Sequence, residues 1–275
     1  MAKEPCPAGD ERFESGEHMR VERKCEIVRK HRDGETIFMV LHVGDMVRAS
    51  QMRPGQFLHI KCGEGLLLRR PISISRWTGS ETGDTLTIVF EIRGEGTAWL
   101  AERQEGEFLD VLGPLGNGFN VEDAPYLLVG GGIGVPPIQG CAEAAQGKST
   151  AILGFRSKDR VILLGHFDRL CAKVLVATDD GSLGYHGFVD ALVRQELEKE
   201  HHYQGVLACG PKPMLKSVAK VAAEFGVPCQ VSMEERMGCG VGACLVCATP
   251  MKDGTVRHVC KDGPVFNAEE VDWDA

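Results

Sequence analysis

Tyr126-Leu127-Leu128-Val129-Gly130-Gly131-Gly132-Ile133-Gly134-Val135-Pro136-Pro137 decides how the rest of this chain is read. Four apolar residues make a short buried strand, the glycines make a tight turn, and Pro136 suits a first helical turn. Glycines between strand and helix let a pyrophosphate approach backbone amides at the helix N-terminus. Any α/β domain can use such a turn without binding a nucleotide, so the stretch alone fixes strand, turn and helix and leaves the ligand open. Toward the C-terminus, residues 150–155, 174–178 and 205–209 read as further short apolar strands, with helical stretches at 136–145 and 188–198 between them. That alternation predicts a parallel α/β sheet. Two more strings fall at the C-terminal ends of strands, where open sheets bind ligands: Thr178-Asp179-Asp180-Gly181-Ser182 after the third and Ala208-Cys209-Gly210-Pro211 closing the fourth.

Toward the N-terminus the texture changes. Residues 20–120 hold short β-rich runs such as 35–43 and 85–92, separated by Gly, Pro and Asp turns at the intervals of a small antiparallel barrel. Within it, Arg69-Arg70-Pro71-Ile72-Ser73-Ile74-Ser75 sets an arginine suited to gripping a phosphate beside a strand whose serine offers a hydroxyl to a flat ring. Gly94-Glu95-Gly96-Thr97 leads into the apolar segment 98–101 and predicts a helix N-terminus facing the same phosphates. Either string alone is commonplace. Their order, ahead of the glycine turn, is specific.

Beyond residue 230 the informative feature is four cysteines, Cys239, Cys244, Cys247 and Cys260, spaced C-x4-C-x2-C-x12-C, the ligand pattern of a plant-type [2Fe–2S] cluster. Three thiolates must wrap one side of a small inorganic core while the fourth closes it from a separate turn. Gly238, Gly240 and Gly242 let the intervening backbone do so. A zinc knuckle, or cysteines buried as small apolar residues, is the alternative; zinc sites more often show paired C-x2-C spacings. His258 reads as a surface residue or a neighbour of the cluster rather than a ligand, since four thiolates complete the site.

Composition narrows the classes. The 275 residues are 43% hydrophobic with a net charge of −8, which disfavours nucleic acid or anionic lipid as a partner. No apolar run approaches membrane-spanning length, and residues 1–19 form a polar leader without the apolar core of a signal peptide, so a cytoplasmic protein is expected. Of eleven cysteines, the seven outside the cluster pattern are scattered, as reduced thiols would be. The expected fold is an antiparallel β-barrel over residues 20–120, a parallel-sheet α/β domain over 121–229 and a small cluster module over 230–275.

Arg70-Pro71-Ile72-Ser73, Gly96-Thr97, Gly130 to Pro137 and Cys209-Gly210-Pro211 resemble, in order, the flavin and nicotinamide motifs of the ferredoxin–NADP reductase superfamily. With Val259-Cys260-Lys261-Asp262-Gly263-Pro264-Val265-Phe266 after the third ligand, the likeness within it is to the electron-transfer subunits of B-type dihydroorotate dehydrogenases, over residues 20–270. The resemblance implies that Arg70-Pro71-Ile72-Ser73 holds FAD, with Arg70 on the pyrophosphate, Ser73 at the isoalloxazine edge, and Gly96 and Thr97 supporting the phosphates. Val89, Phe90 and Glu91 fall where the family has an apolar residue, a tyrosine and a basic residue; Phe90 can still pack, while Glu91 departs in charge. Gly131, Gly132, Gly134 and Gly210 would hold NAD(H), with Cys209 near the nicotinamide, and Asp179 and Asp180 would favour NAD over NADP if they face the adenosine ribose.

Nicotinamide exchanges two electrons, the cluster one, and a flavin both. The implied activity is electron transfer between NAD and an FMN-containing catalytic subunit that interconverts dihydroorotate and orotate, in a heterotetramer serving pyrimidine biosynthesis. Two readings remain beside it: an iron–sulfur flavoprotein subunit of another complex, of the bifurcating transhydrogenase or sulfide dehydrogenase type, and a non-enzymatic redox sensor or zinc-stabilised binding protein.

Overall fold

A computed structural model describes residues 21–44, 51–79, 83–199 and 202–275; the polar leader lies outside them. Strands β1 (Val21–Asp33), β2 (Thr36–Gly44), β3 (Phe57–Ile60), β4 (Arg70–Thr78), β5 (Asp84–Glu91) and β6 (Phe108–Leu115) close a barrel in the order β1-β2-β5-β4-β3-β6, every ladder antiparallel. The period-2 pattern is the cause. Ile37, Met39 and Leu41 on β2 stand opposite Phe90, Ile88 and Leu86 on β5, and all six point into the core. Helix α1 (Glu95–Glu102) closes the barrel with Leu100.

The second sheet runs through β7 (Tyr126–Gly131), β8 (Thr150–Phe155), β9 (Lys173–Thr178), β10 (Tyr185–His186), β11 (Gly205–Cys209) and β12 (Cys229–Ser232). These are parallel and ordered β10-β9-β8-β7-β11-β12. Every residue of β7 is buried because both faces are covered. Leu127 and Val129 pack toward helices α4 (Val189–Lys199) and α5 (Lys212–Glu224), whereas Leu128 packs toward α2 (Val135–Ala144) and α3 (Leu164–Leu170). On α5 the buried residues Leu215, Val218, Ala219 and Ala222 recur at helical spacing, giving one apolar stripe.

The remaining chain forms a hairpin of β13 (Ala248–Pro250) and β14 (Val256–His258), then β15 (Val265–Asn267). β15 pairs antiparallel with β12 and so extends the α/β sheet. The sheet therefore runs past residue 229, and the segment carrying the cysteines is built onto it. Cys247, Val259, Cys260 and Phe266 share one apolar cluster with Phe57 of the barrel and Val231 of the sheet. Among the described residues no helix is long and apolar enough to cross a membrane.

Candidate functional site

Arg70 opens β4, and its side chain lies across the start of α1. A Cβ on Gly96 would come within 2.5 Å of Arg70 Nε and 2.9 Å of Cζ, so only glycine lets the guanidinium rest there. Arg70 Nη1 donates to the carbonyls of Leu68 and Arg69, and among the described residues the rest of its fork meets no protein acceptor. Thr97 Oγ1 accepts the N–H groups of Arg93 at 2.8 Å and Gly94 at 3.2 Å, which fixes the turn into α1. Its hydroxyl serves the turn. Ile72 and Ile74 belong to the barrel core, so Ser73 between them faces outward, opposite Phe57 of β3. Pro71 faces out beside it, opposite His59.

The three residues at the end of β5 separate. Phe90 is packed in the barrel, Val89 is buried on the outer face with Phe119 and Val135, and Glu91 binds Arg93 Nε at 3.1 Å and Nη2 at 2.8 Å. A cation therefore stands two residues beyond the place where the resemblance puts one, held by the very carboxylate that replaced it.

At the second sheet, the turn after β7 and the end of β11 touch through their backbones. A Cβ on Gly134 would sit 2.4 Å from the Cys209 carbonyl oxygen, and one on Gly131 would sit 2.4 Å from Met214 Sδ. Gly132 has φ +53° and nothing within 4 Å of an added Cβ, leaving open space at the mouth of the turn. Strand order reverses between β7 and β11, which is where open sheets form their ligand crevice. Burial pushes the Cys209 thiol up to about 12, partly offset by a hydrogen bond with Ser232, so it stays protonated at neutral pH.

Asp179 and Asp180 follow β9, one strand further from the crevice. Asp180 Oδ1 accepts the Ser182 N–H at 2.9 Å and hydroxyl at 2.6 Å, and these bonds hold its carboxyl below the usual range. One strand nearer in the sheet order is Arg156, exposed just past the end of β8 and about 20 residues beyond the glycine turn, where dinucleotide folds place the side chain that meets the adenosine ribose or its 2′-phosphate. Sequence reading passed over it because an arginine after a strand carries no signal until the strand order is known.

The four cysteines come together as two pairs. Cys239 and Cys244 exchange contacts, each backbone N–H lying 3.4 Å from the other's sulfur, and the Cys260 N–H lies 3.4 Å from Cys247 Sγ. Main-chain donors cover the sulfurs: Val241 and Ala243 N–H reach Cys239 Sγ at 3.4 and 3.3 Å, and Gly242 N–H reaches Cys260 Sγ at 3.1 Å. Gly240 and Gly242 have φ of +73° and +81°, which lets successive amides turn inward. Burial works to raise the Cys239 thiol, and its backbone donors outweigh it, bringing it down to about 6. Cys260, buried and beside Cys247, is pushed up to about 12.

Among the described residues no three acidic, histidine or cysteine side chains converge as one metal ion would need. Two cysteine pairs under a canopy of N–H groups fit a binuclear iron–sulfur core, with two thiolates on each iron. Cys247 and Cys260 are buried, whereas Cys244 is exposed beside the exposed apolar side chains Leu245 and Val246. His258 engages Asp262, with Nδ1 3.7 Å from Oδ2, and the Asp262 carboxylate also accepts the His258 N–H at 2.7 Å.

Sequence reading missed His59. It is fully buried on β3, and neither ring nitrogen has a hydrogen-bond partner among the described residues. Burial, aided by the charge of Arg69, pushes it down to about 4, so the ring is neutral at physiological pH.

The family model for the iron–sulfur cluster binding domain of dihydroorotate dehydrogenase B matches residues 234–272, which include all four cysteines. A Bacillus velezensis dihydroorotate dehydrogenase B (NAD(+)), electron transfer subunit, is 40% identical over 268 residues, covering 92% of this chain and 98% of that protein. The Bacillus caldolyticus protein of the same description is 45% identical over 231 residues, covering 80% of this chain and 86% of that one. Among solved structures, the NADH-dependent reduced ferredoxin-NADP oxidoreductase, studied for flavin-based electron bifurcation, superposes with a TM-score of 0.81 at 34% identity, over 91% of this chain and 90% of that chain. The shared barrel, parallel sheet and cluster segment, over nearly the full length of these relatives, place the chain in the family of dihydroorotate dehydrogenase B electron transfer subunits.

Proposed function

We propose that this chain carries electrons between NAD(H) and an FMN-containing catalytic subunit that oxidises dihydroorotate to orotate, in the order partner FMN, [2Fe–2S], FAD, NAD⁺. The observation that carries the proposal is that the cysteine segment packs on both other parts of the chain: Cys247 and Cys260 share one core with Phe57 and Leu115 of the barrel and with Leu127, Val129, Val206 and Ala208 of the strands that form the β7–β11 crevice. When bound, FAD supplies the exchange between a two-electron carrier and one-electron centres. The residues do little acid–base work. Arg70 and the start of α1 bind pyrophosphate charge, with Pro71 and Ser73 lining the ring and Ile72 anchoring their strand in the barrel core. The glycines at 131, 132, 134 and 210 admit the dinucleotide backbone, and the bulk of Cys209 limits how deeply the nicotinamide sits.

Cys244, Leu245 and Val246 form the exposed apolar rim of the cluster loop and fit a partner's docking face. A catalytic partner is implied by the description of the relatives as electron transfer subunits. A heterotetramer is the assembly we expect.

The test uses Cys244→Ser in the full chain. NADH oxidation with a dye that accepts directly from flavin should persist, while reconstituted dihydroorotate-to-NAD⁺ turnover with the FMN subunit should fail. Full turnover without cluster would overturn the order of carriers. Turnover by wild-type chain with a ferredoxin-linked partner, and none with the dihydroorotate-oxidising subunit, would favour a bifurcating complex, the reading to which the 34%-identical ferredoxin-NADP oxidoreductase lends weight.

A further inference from the structure

Strand β3 alternates: Leu58 and Ile60 enter the barrel core, and Phe57 and His59 face outward. Phe57 joins the apolar cluster around Cys247 and Cys260. His59 meets the cysteine loop at Gly240, where an added Cβ would lie 2.5 Å from His59 Nδ1 and 3.2 Å from Cε1. Across the ladder it stands opposite Pro71, two residues before Ser73. The imidazole therefore fills the space between the strand that lines the flavin and the loop that bears the first thiolate.

Its strand is fixed there as well. Arg69 Nη1 donates to the carbonyls of His59 at 3.3 Å and Asp110 at 3.0 Å, and Arg69 Nη2 is paired with Asp110 and Glu22. The backbone carbonyls of Arg69 and Cys239 lie close enough to the ring to favour its protonated form, but neither meets a ring nitrogen in good hydrogen-bonding geometry. A neutral imidazole carries one N–H, and a buried donor without an acceptor is costly. Among the described residues no protein acceptor meets the ring in good hydrogen-bonding geometry, whereas the cysteine loop is built to surround sulfur. All the donors described on the thiolates are main-chain groups of the loop itself.

We propose that His59 is a side-chain hydrogen-bond donor to the sulfur atoms of the [2Fe–2S] cluster, supplied from the flavin side, and that it raises the cluster's reduction potential. A donor to sulfur stabilises the more negative, reduced cluster more than the oxidised one. Gly240 is the corollary: its missing Cβ is what lets the ring approach.

The experiment compares wild-type, His59→Leu, His59→Gln and His258→Gln chains, each full length and carrying FAD and cluster. Potentiometric titration followed by EPR should show the cluster midpoint lowered in His59→Leu and restored toward wild type in His59→Gln, which keeps an N–H. The flavin midpoint, read by absorbance, should stay in place. Pulsed EPR on protein labelled with ¹⁵N-histidine should show a weak histidine nitrogen coupling to the reduced cluster that survives His258→Gln and vanishes in His59→Gln. An unchanged midpoint in His59→Leu, or no histidine coupling in wild type, overturns the proposal. The wild-type coupling decides the matter even where the leucine variant loses its cluster. Iron and acid-labile sulfide assays on the same samples separate the two possible failures: a chain without cluster removes the cofactor reading itself, and a loaded chain without coupling removes only His59.

Discussion

Gly96→Ala should weaken FAD binding without harming the fold. Its new Cβ would sit 2.5 Å from Arg70 Nε, 2.9 Å from Cζ and 3.0 Å from Cγ, so the guanidinium must swing off the start of α1. The displaced atoms belong to a flexible side chain, and alanine within α1 gains about 0.5–1 kcal/mol of helix stability over glycine. The melting temperature should therefore hold or rise. What is lost is a charge-assisted contact with the pyrophosphate, worth about 1.5–3 kcal/mol, which is roughly a tenfold to hundredfold increase in Kd. Arg70→Ala removes the same contact and should cost about as much. The double variant is the sharper test, since two routes to one lost contact cannot add; its Kd should match that of the single variants. Fluorescence titration of FAD onto deflavinated protein reads all four Kd values. Additive losses in the double variant, or full FAD affinity in Gly96→Ala, would refute the assignment of Arg70 to the pyrophosphate.

Gly134→Ala behaves differently, because its Cβ would meet the Cys209 carbonyl oxygen at 2.4 Å, the carbonyl carbon at 2.6 Å and Gly210 N at 2.7 Å, all backbone. Urea unfolding should show a loss of at least about 1–3 kcal/mol together with lost NADH reduction, and wild-type behaviour in both would contradict the β7–β11 contact. At the interface of α2 with β4, burial raises the Glu143 carboxyl above its ordinary value of 4.5, against the opposing charge of Arg76 at 2.9 Å. The folded state then holds that proton more tightly than the unfolded one, so the contribution to stability falls as pH rises from about 4.5 through the folded value. Glu143→Gln should become progressively more stable relative to wild type across that window in denaturation series, and a flat difference would show that Arg76 compensates the burial. Arg156→Ala should raise KM for NADH more than Asp179→Ala does, with kcat little changed; the opposite ranking would move the adenosine ribose to the β9 side.

Which features were legible in the sequence follows from how each is enforced. The glycine turn at 130–134 could be read because its constraint is local: backbone approaches backbone, and only glycine fits. The four cysteines could be read because thiolate ligation fixes residue type and spacing together. Pro71 and Ser73 could be assigned to a strand, yet their outward direction depends on a register that only the β3 pairing sets. The dinucleotide-binding side was harder to call, since Asp179 and Arg156 differ by which strand each follows, and strand order is not written in either string. His59 was invisible for a related reason. A single histidine between Leu58 and Ile60 in a strand of four buried residues reads as a core position, and its neighbour Gly240 lies far away in sequence.

The segment after the last thiolate shows why the ending that suggested the subfamily is informative. Asn117, just past β6, donates its backbone N–H to the Gly263 carbonyl at 2.6 Å and its amide to the carbonyls of Lys261 at 3.3 Å and Asp262 at 3.1 Å. Met233 N–H reaches the Pro264 carbonyl at 2.8 Å, and Val265 and Phe266 pair with Ser232 and Val231. Gly116 leaves no room for a Cβ against Pro264, at 2.5 Å. Residues 261–266 thus join the barrel, the parallel sheet and the cluster loop within one turn and one strand. Electron transfer requires cofactors held at set separations, and a module on a loose tether would lose the orientation that effective molarity depends on. Lys261-Asp262-Gly263-Pro264-Val265-Phe266 is better understood as the weld that holds the cysteine segment against the barrel and the parallel sheet than as an extension of the ligand pattern.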